Sequence, residues 1–204
     1  MFSHGMAIEA LASSPDFRHL SSIAGIAVDL RYAGVNNCVG RYLYSPHDCA
    51  WLHRDAAAAL EAVVGYLARR QPLYRILVLD ALRPQRVQQQ LWDALAGTDL
   101  QLYLAAPERG SIHSFGMALD LTIVDEHGVE LDMGTGFDDL TAASQPALEP
   151  RLLERGVLTL EQVGHRQLLR DAMGQAGFHG ISTEWWHYDC GDRAVVRERY
   201  ARVL

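Results

Sequence analysis

The chain reads as an α+β fold: a small, mainly antiparallel sheet with flanking helices and a site in a cleft on the sheet. Three observations predict it. Two long segments have helical period, Leu52–Arg70 and about Leu160–Ala176. Short apolar runs lie between them, Arg-Ile-Leu-Val-Leu at 75–79 and Met117–Val124. Strands and helices do not alternate as regular βαβ units, and no glycine-rich dinucleotide or phosphate loop is present.

Each element follows from local chemistry. Ile26–Tyr32 is expected to be a strand, followed by a loop through Gly34, Asn36, Asn37 and Gly40. In Leu52–Arg70, Leu60, Val63, Val64 and Leu67 fall on one face. Pro84 suits the first position of a second helix running to about Ala96. Residues 97–112 read as loop or irregular helix. Met117–Val124 is a strand, with a turn at Asp125–Gly128 and a short returning strand. Residues 132–150, rich in Gly, Asp, Ser and Pro, form an ordered loop. Thr159 and Gln162 make a capping box for the Leu160–Ala176 helix, and Gly177 stops it. Glu184–Asp189 is the last strand and Arg193–Val203 a C-terminal helix. The strands are expected to pair locally as a meander.

The 204 residues, 22.7 kDa, suit one domain spanning 1–204, and 49% apolar residues suffice for its core. A net charge of −7 without a Lys/Arg run excludes nucleic acid as a main partner. No apolar stretch approaches the ~20 residues of a membrane span. The N-terminus lacks Lys or Arg before its apolar stretch, and Glu9 interrupts that stretch, so no signal peptide is read and a cytoplasmic location is expected, with the periplasm as alternative. Cys38, Cys49 and Cys190 are odd in number and widely spaced, which suggests reduced thiols. Oligomeric state is not legible.

Two segments carry the chemistry: Ser-Ile-His-Ser-Phe-Gly-Met-Ala-Leu-Asp at 111–120 and Glu-Trp-Trp-His at 184–187. They offer His113, Asp120 and His187 as metal ligands, with Glu184 as a spare carboxylate. Three protein ligands plus a free carboxylate are the inventory of a hydrolytic zinc site. Alternation puts Leu119, Leu121 and Ile123 on one face of their strand and Asp120, Thr122 and Val124 on the other. Gly116 lets the backbone bend or approach a neighbour closely. On a regular strand Glu184 and His187 would face opposite sides. A bend or strand start is therefore expected between Ser182 and His187. A di-metal carboxylate site needs a second Glu-x-x-His, and none exists.

In such a site the metal lowers the pKa of its water, Glu184 takes the proton, and a cation meets the developing oxyanion. Arg83, held extended before Pro84 at the end of a strand, is the candidate cation.

These residues resemble the VanX-type zinc D-alanyl-D-alanine dipeptidases, relatives of the zinc D,D-carboxypeptidases. The family's Ser-x-His-x-x-Gly-x-Ala-x-Asp is matched at Ser111, His113, Gly116, Ala118 and Asp120. Glu-Trp-Trp-His-Tyr at 184–188, Asp-Leu-Arg-Tyr-Ala at 29–33 with Asn36-Asn37, Arg83-Pro84, Met133-Gly134 and Phe137-Asp138 match as well. The resemblance implies one zinc ion at His113, Asp120 and His187, Glu184 as general base and Arg83 as stabiliser of the tetrahedral intermediate. It implies that Asp138, or the adjacent Asp139, receives the substrate ammonium, and that Ser111 and Tyr32 position a small dipeptide. Two positions depart from the family. Ala81-Leu82 stands where Gly-Tyr is familiar, and Phe115 where some members carry Arg.

The expected function is hydrolysis of D-Ala-D-Ala to two D-alanines. The alternatives are a D,D-carboxypeptidase or endopeptidase on peptidoglycan stems, and a non-catalytic zinc-binding module that recognises peptides.

Overall fold

The computed structural model describes residues 5–204. In chain order its elements are β1 (Gly5–Met6), β2 (Phe17–His19), β3 (Ile26–Val28), β4 (Trp51–His53), α1 (Arg54–Arg70), β5 (Arg75–Asp80), α2 (Gln85–Ala94), β6 (Ala118–Val124), α3 (Glu149–Glu154), α4 (Leu160–Gln175), β7 (Phe178–Gly180), β8 (His187–Cys190), α5 (Arg193–Arg199) and β9 (Arg202–Val203). Short 3-10 turns connect several of them.

The central sheet has the order β3-β5-β6-β8-β7. Three of its pairings are antiparallel, and β3 runs parallel to β5. The α+β class and the mainly antiparallel sheet hold. The simple meander does not, because α1 lies on the crossover between β3 and β5, and β7 takes the edge beyond β8.

The sheet's two faces do different work. Leu119, Leu121 and Ile123 of β6 and Ile76 and Val78 of β5 join a core with Leu60, Val63 and Leu67 of α1 and Leu169, Ala172 and Met173 of α4. Val64, expected in that stripe, is only half-buried. On the opposite face lie Asp120, Thr122 and Val124, as alternation requires; they too are buried.

Several sequence expectations need correction. The strand from Ile26 stops at Val28, and Tyr32 sits in a 3-10 turn at Arg31–Ala33. There its carbonyl accepts the amides of Leu43 and Tyr44, at 2.9 and 3.2 Å, so it cannot extend a ladder. Pro84 caps α2 rather than opening it, because its carbonyl already accepts from Val87 and Gln88. The 132–150 loop contains 3-10 turns and ends at the start of α3. The last strand begins at His187, not Glu184. The C-terminal helix ends at Arg199, and Val203, fully buried, pairs in parallel with Met6. The capping box at Thr159 and Gln162 and the left-handed Gly177 (φ 84°) are present as expected.

Gly116 ends the 3-10 turn that carries His113, with φ 65°. A Cβ there would lie 2.7 Å from the His53 amide nitrogen and 2.9 Å from the Phe17 ring. Both the bend and the close approach therefore demand glycine. Gly116→Ala is expected to lower stability by at least about 1–3 kcal/mol, read as a fall in the midpoint of urea unfolding. An unchanged midpoint would show that the turn relaxes freely.

Candidate metal centre and cavity

The proposed ligands converge where β5, β6 and β8 meet. Asp120 and His187 are direct partners across the antiparallel β6–β8 pair. His113 enters from the 3-10 turn that precedes β6. Asp120 Oδ1 lies 2.9 Å from His187 Nδ1 and 3.4 Å from His113 Nε2, and the two ring nitrogens are 3.2 Å apart. Zinc bonds of about 2.0–2.1 Å in a tetrahedron set donor atoms about 3.3 Å apart. The triangle of His113, Asp120 and His187 donors has that size, and the donors are the nitrogens and oxygen zinc favours. This His/Asp/His group can hold a metal ion.

Each ligand is oriented from behind, as metal-binding side chains require. His113 Nδ1 bonds the Ala81 carbonyl at 2.8 Å. His187 Nε2 meets Asp189 Oδ1 at 3.0 Å, and Asp189 Oδ2 takes the Nε–H of Arg193 at 2.5 Å. Residues two apart on a strand share a face, which is why Asp189 stands beside His187. Burial works against charge on His187, but the hydrogen bonds to Asp120 and Asp189 outweigh it and raise its pKa to about 10. Burial would likewise raise Asp120; His113 and His187 overcome this and hold its carboxyl well below the usual carboxylate range. Positive charge is favoured between these carboxylates, as a proton or as a metal.

A bulge positions Arg83. From Arg75 to Val78 the β5–β6 register runs evenly, then skips Leu79, so that Asp80 and not Leu79 faces Asp120. Leu79 turns to an apolar cluster with Leu77 and Val124. Two buried carboxylates thus stand side by side, and Arg83 bridges them: Nε and Nη2 donate to Asp80 Oδ2 at 2.8 and 2.6 Å, and Nη2 donates to Asp120 Oδ2 at 3.2 Å. Nη1 donates to Gln88 Oε1 at 3.3 Å. Of the five guanidinium N–H groups, these four bonds leave one on Nη1 for the cavity that Arg83 lines. Asp80 is itself fixed by the Tyr44 hydroxyl and the Ala81 amide.

Around this centre lies a cavity of about 340 Å³, lined among others by Tyr32, Arg83, Ser111, His113, Asp120, Asp138, Glu184 and His187. Every site residue expected from the sequence therefore meets in one place. Glu184 lies in the bent segment before β8, so strand alternation does not constrain it. The expected bend between Ser182 and His187 is present. Burial first, then nearby Asp120 and Asp138, raise the Glu184 pKa to about 7, against the opposing pull of His187 and Arg83.

Asp138, rather than Asp139, faces the cavity. It has a left-handed backbone (φ 61°), rare outside glycine and a local cost of order 1 kcal/mol. Its carboxylate accepts from the Tyr32 hydroxyl at 3.1 Å and from the Cys38 amide at 3.1 Å. Asn37 holds Cys38 in place, its side-chain amide tying the carbonyls of Arg31, Gly34 and Arg41. Burial pushes the Asp138 carboxyl up to about 6. The loop that carries it is clamped by buried Arg166, which donates to the carbonyls of Met133 and Ala143 at 2.7 and 2.9 Å.

Four contributors escaped the sequence reading. Asp189 was legible from period two after His187, and Asp80 from its place at the end of β5. Tyr44 left no sequence signal, since only the packed loop brings it to Asp80, whereas Gln88 stands in the first turn of α2, five residues after Arg83.

A family model described as D-ala-D-ala dipeptidase matches residues 16–204 of the chain. The D-alanyl-D-alanine dipeptidase of Escherichia coli (strain K12) is 36% identical over 167 residues, covering 80% of this chain and 78% of its own. A protein of the same name from Synechocystis is 34% identical over 158 residues, covering 62% and 64%. Another from Enterococcus faecium is 28% identical over 184 residues, covering 81% and 86%.

Proposed function

The chain belongs to the D-Ala-D-Ala dipeptidase family, and on that premise we infer that its cavity hydrolyses D-Ala-D-Ala to two D-alanines with one zinc ion per chain. The observation that carries this reading is the meeting of a His/Asp/His triangle, an unligated glutamate, a clamped arginine and a carboxylate anchor in one cavity.

Zinc held by His113, Asp120 and His187 would supply a Lewis acid and an activated water at neutral pH. Glu184 takes a proton from the attacking water on a carboxylate oxygen and returns it to the leaving amine nitrogen. The remaining Nη1–H of Arg83 meets the oxygen of the scissile carbonyl as it gains charge. Asp80 and Gln88 hold the guanidinium still, so it does not reorganise during the reaction. Asp138 receives the free ammonium, with Tyr32 fixing its carboxylate, and Ser111 lines the same cavity and positions the dipeptide.

The Asp138 anchor also separates this reading from a carboxypeptidase on peptidoglycan stems. A carboxylate poised for an ammonium is useful only where the residue before the scissile bond is the substrate's N-terminus, and a stem peptide continues there as an amide. Burying an ammonium without a partner is unfavourable, so the anchor selects substrates whose scissile bond follows a free N-terminal residue. A reducing, cytoplasmic setting belongs to the same proposal, supported by three unpaired cysteines. Among the described residues no helix is long and apolar enough to cross a membrane.

The test is release of D-alanine from D-Ala-D-Ala by zinc-loaded protein. Cleavage of longer muropeptides without release from the dipeptide would sink the reading. Asp138→Asn keeps a side chain that tolerates the left-handed backbone but removes the charge. It is expected to raise KM at least about thirtyfold, the equivalent of ~2 kcal/mol. Because Asp138 must be ionised to hold the ammonium, wild-type KM should also climb below about pH 6. An Asn variant with an unaltered KM would move the anchor elsewhere.

A further inference from the structure

The cavity's lining carries groups of both charges. Besides Asp138 it includes Arg109, two residues before Ser111, with Arg193 and Arg197. Arg109 and Arg193 are exposed and form an arginine rim. Arg202 joins them, donating to the Arg109 carbonyl at 3.2 Å with its guanidinium 5.4 Å from the Phe115 ring. These four arginines come from three separate parts of the chain: the turn before Ser111, α5 and β9. Their convergence is not a background effect, since the chain carries a net charge of −7.

Among the described residues only Arg193 of the four is neutralised, by Asp189. Arg197 is fixed, with Nε and Nη2 both donating to the Gly110 carbonyl at 3.2 and 3.1 Å, directly behind Ser111. Among the described residues the Arg109 guanidinium has no hydrogen-bond or ion-pair partner. The crowding registers on Arg197, whose pKa is lowered first by burial and then by Arg109 and Arg193. An anion placed among these groups would relieve their repulsion. The space exists: about 340 Å³ lies in the range of pockets that take drug-sized ligands, well above the needs of an alanine dipeptide.

We propose that this arginine rim is an anion subsite for the side chain of the substrate's second residue, so that the protein also cleaves dipeptides ending in an acidic residue, such as D-Ala-D-Glu. The substrate's own α-carboxylate is attached beside the leaving nitrogen and stays close to the metal centre and Ser111. Arg193 lies beyond Asp189, which separates it from His187, and Arg109 is exposed. A side-chain carboxylate is the group that reaches this rim. The proposal rests on the dipeptidase reading, and water adds across the same peptide bond, releasing D-Ala and D-Glu.

The experiment compares kcat/KM for D-Ala-D-Glu with its neutral isostere D-Ala-D-Gln, beside D-Ala-D-Ala, on the zinc-loaded full chain. Exposed ion pairs are modest, so the expected preference for Glu over Gln is roughly two- to fivefold. It should vanish near 1 M salt, where screening is nearly complete at ~3 Å. Arg109→Gln should abolish the preference while leaving D-Ala-D-Ala turnover within about twofold. Equal rates on Glu and Gln dipeptides, with D-Ala-D-Ala still cleaved, overturn the subsite and leave the dipeptidase reading standing. If no dipeptide is cleaved, calorimetric binding of D-glutamate against D-glutamine decides: a preference lost in Arg109→Gln retains the subsite, and no preference overturns it.

Discussion

Glu184→Gln is expected to keep its metal and lose roughly 10²–10⁴-fold in kcat on D-Ala-D-Ala. Glutamine fills the same space beside Trp185 and Trp186 but cannot accept a proton from water. Because Glu184 stands outside the His113/Asp120/His187 triangle, metal content should remain at wild-type level. The two readouts together separate a base from a ligand. The pH profile gives an independent check. A base must be deprotonated to act, and the Glu184 carboxyl is raised to about 7, chiefly by burial. A cation beside it favours the carboxylate, so about 7 is an upper bound in the loaded protein. Wild-type kcat/KM should therefore rise with pH on an acidic limb ending at or below about 7. Full turnover in the glutamine variant, or a profile without that limb, would remove Glu184 from the proton path.

The site was more legible than the sheet that builds it, for a physical reason. His113, Asp120 and His187 announce themselves by residue type, as the nitrogen and oxygen donors zinc takes, and Glu184 as a spare carboxylate three residues before His187. The demand that Glu184 and His187 not share a regular strand then located the start of β8 to within a few residues. Strand pairing depends on partners distant in sequence. Nothing local in Ile26–Val28 shows that it lies parallel to β5, nor that Phe178–Gly180 is an edge strand. Nor does Leu79 look like a bulge; its register skip appears only against β6, and it places Asp80 beside Asp120. Tyr32 shows the same limit. Its apolar neighbours read as strand, but the carbonyl bonds to Leu43 and Tyr44 turn it into the wall beside Asp138. The Ala81-Leu82 departure proves compatible with a fixed arginine, because Tyr44, from a loop far away in sequence, supplies a hydroxyl to Asp80.

His187→Ala is expected to abolish metal binding, and activity with it, whereas Asp189→Asn should weaken metal affinity by only about 10–100-fold. His187 supplies a donor atom from Nδ1, while Asp189 acts through Nε2, fixing the ring's orientation and increasing its basicity. Chelator competition on the purified protein measures both. The alanine variant also leaves buried Asp120 and Asp189 without the imidazole between them, a loss that costs about 3–5 kcal/mol when a buried pair is broken. His187→Gln is therefore the cleaner probe, since its amide can still donate to a carboxylate while it offers zinc no imidazole nitrogen. A His187→Gln protein that unfolds near the wild-type apo protein yet holds no zinc would assign the residue to the metal and not to the core. If Asp189→Asn instead matched His187→Ala in metal loss, the carboxylate would be doing more than orienting a ring, and zinc would have to draw on it directly. Equal affinity in Asp189→Asn and wild type would show that the β8 ladder alone holds His187 in place.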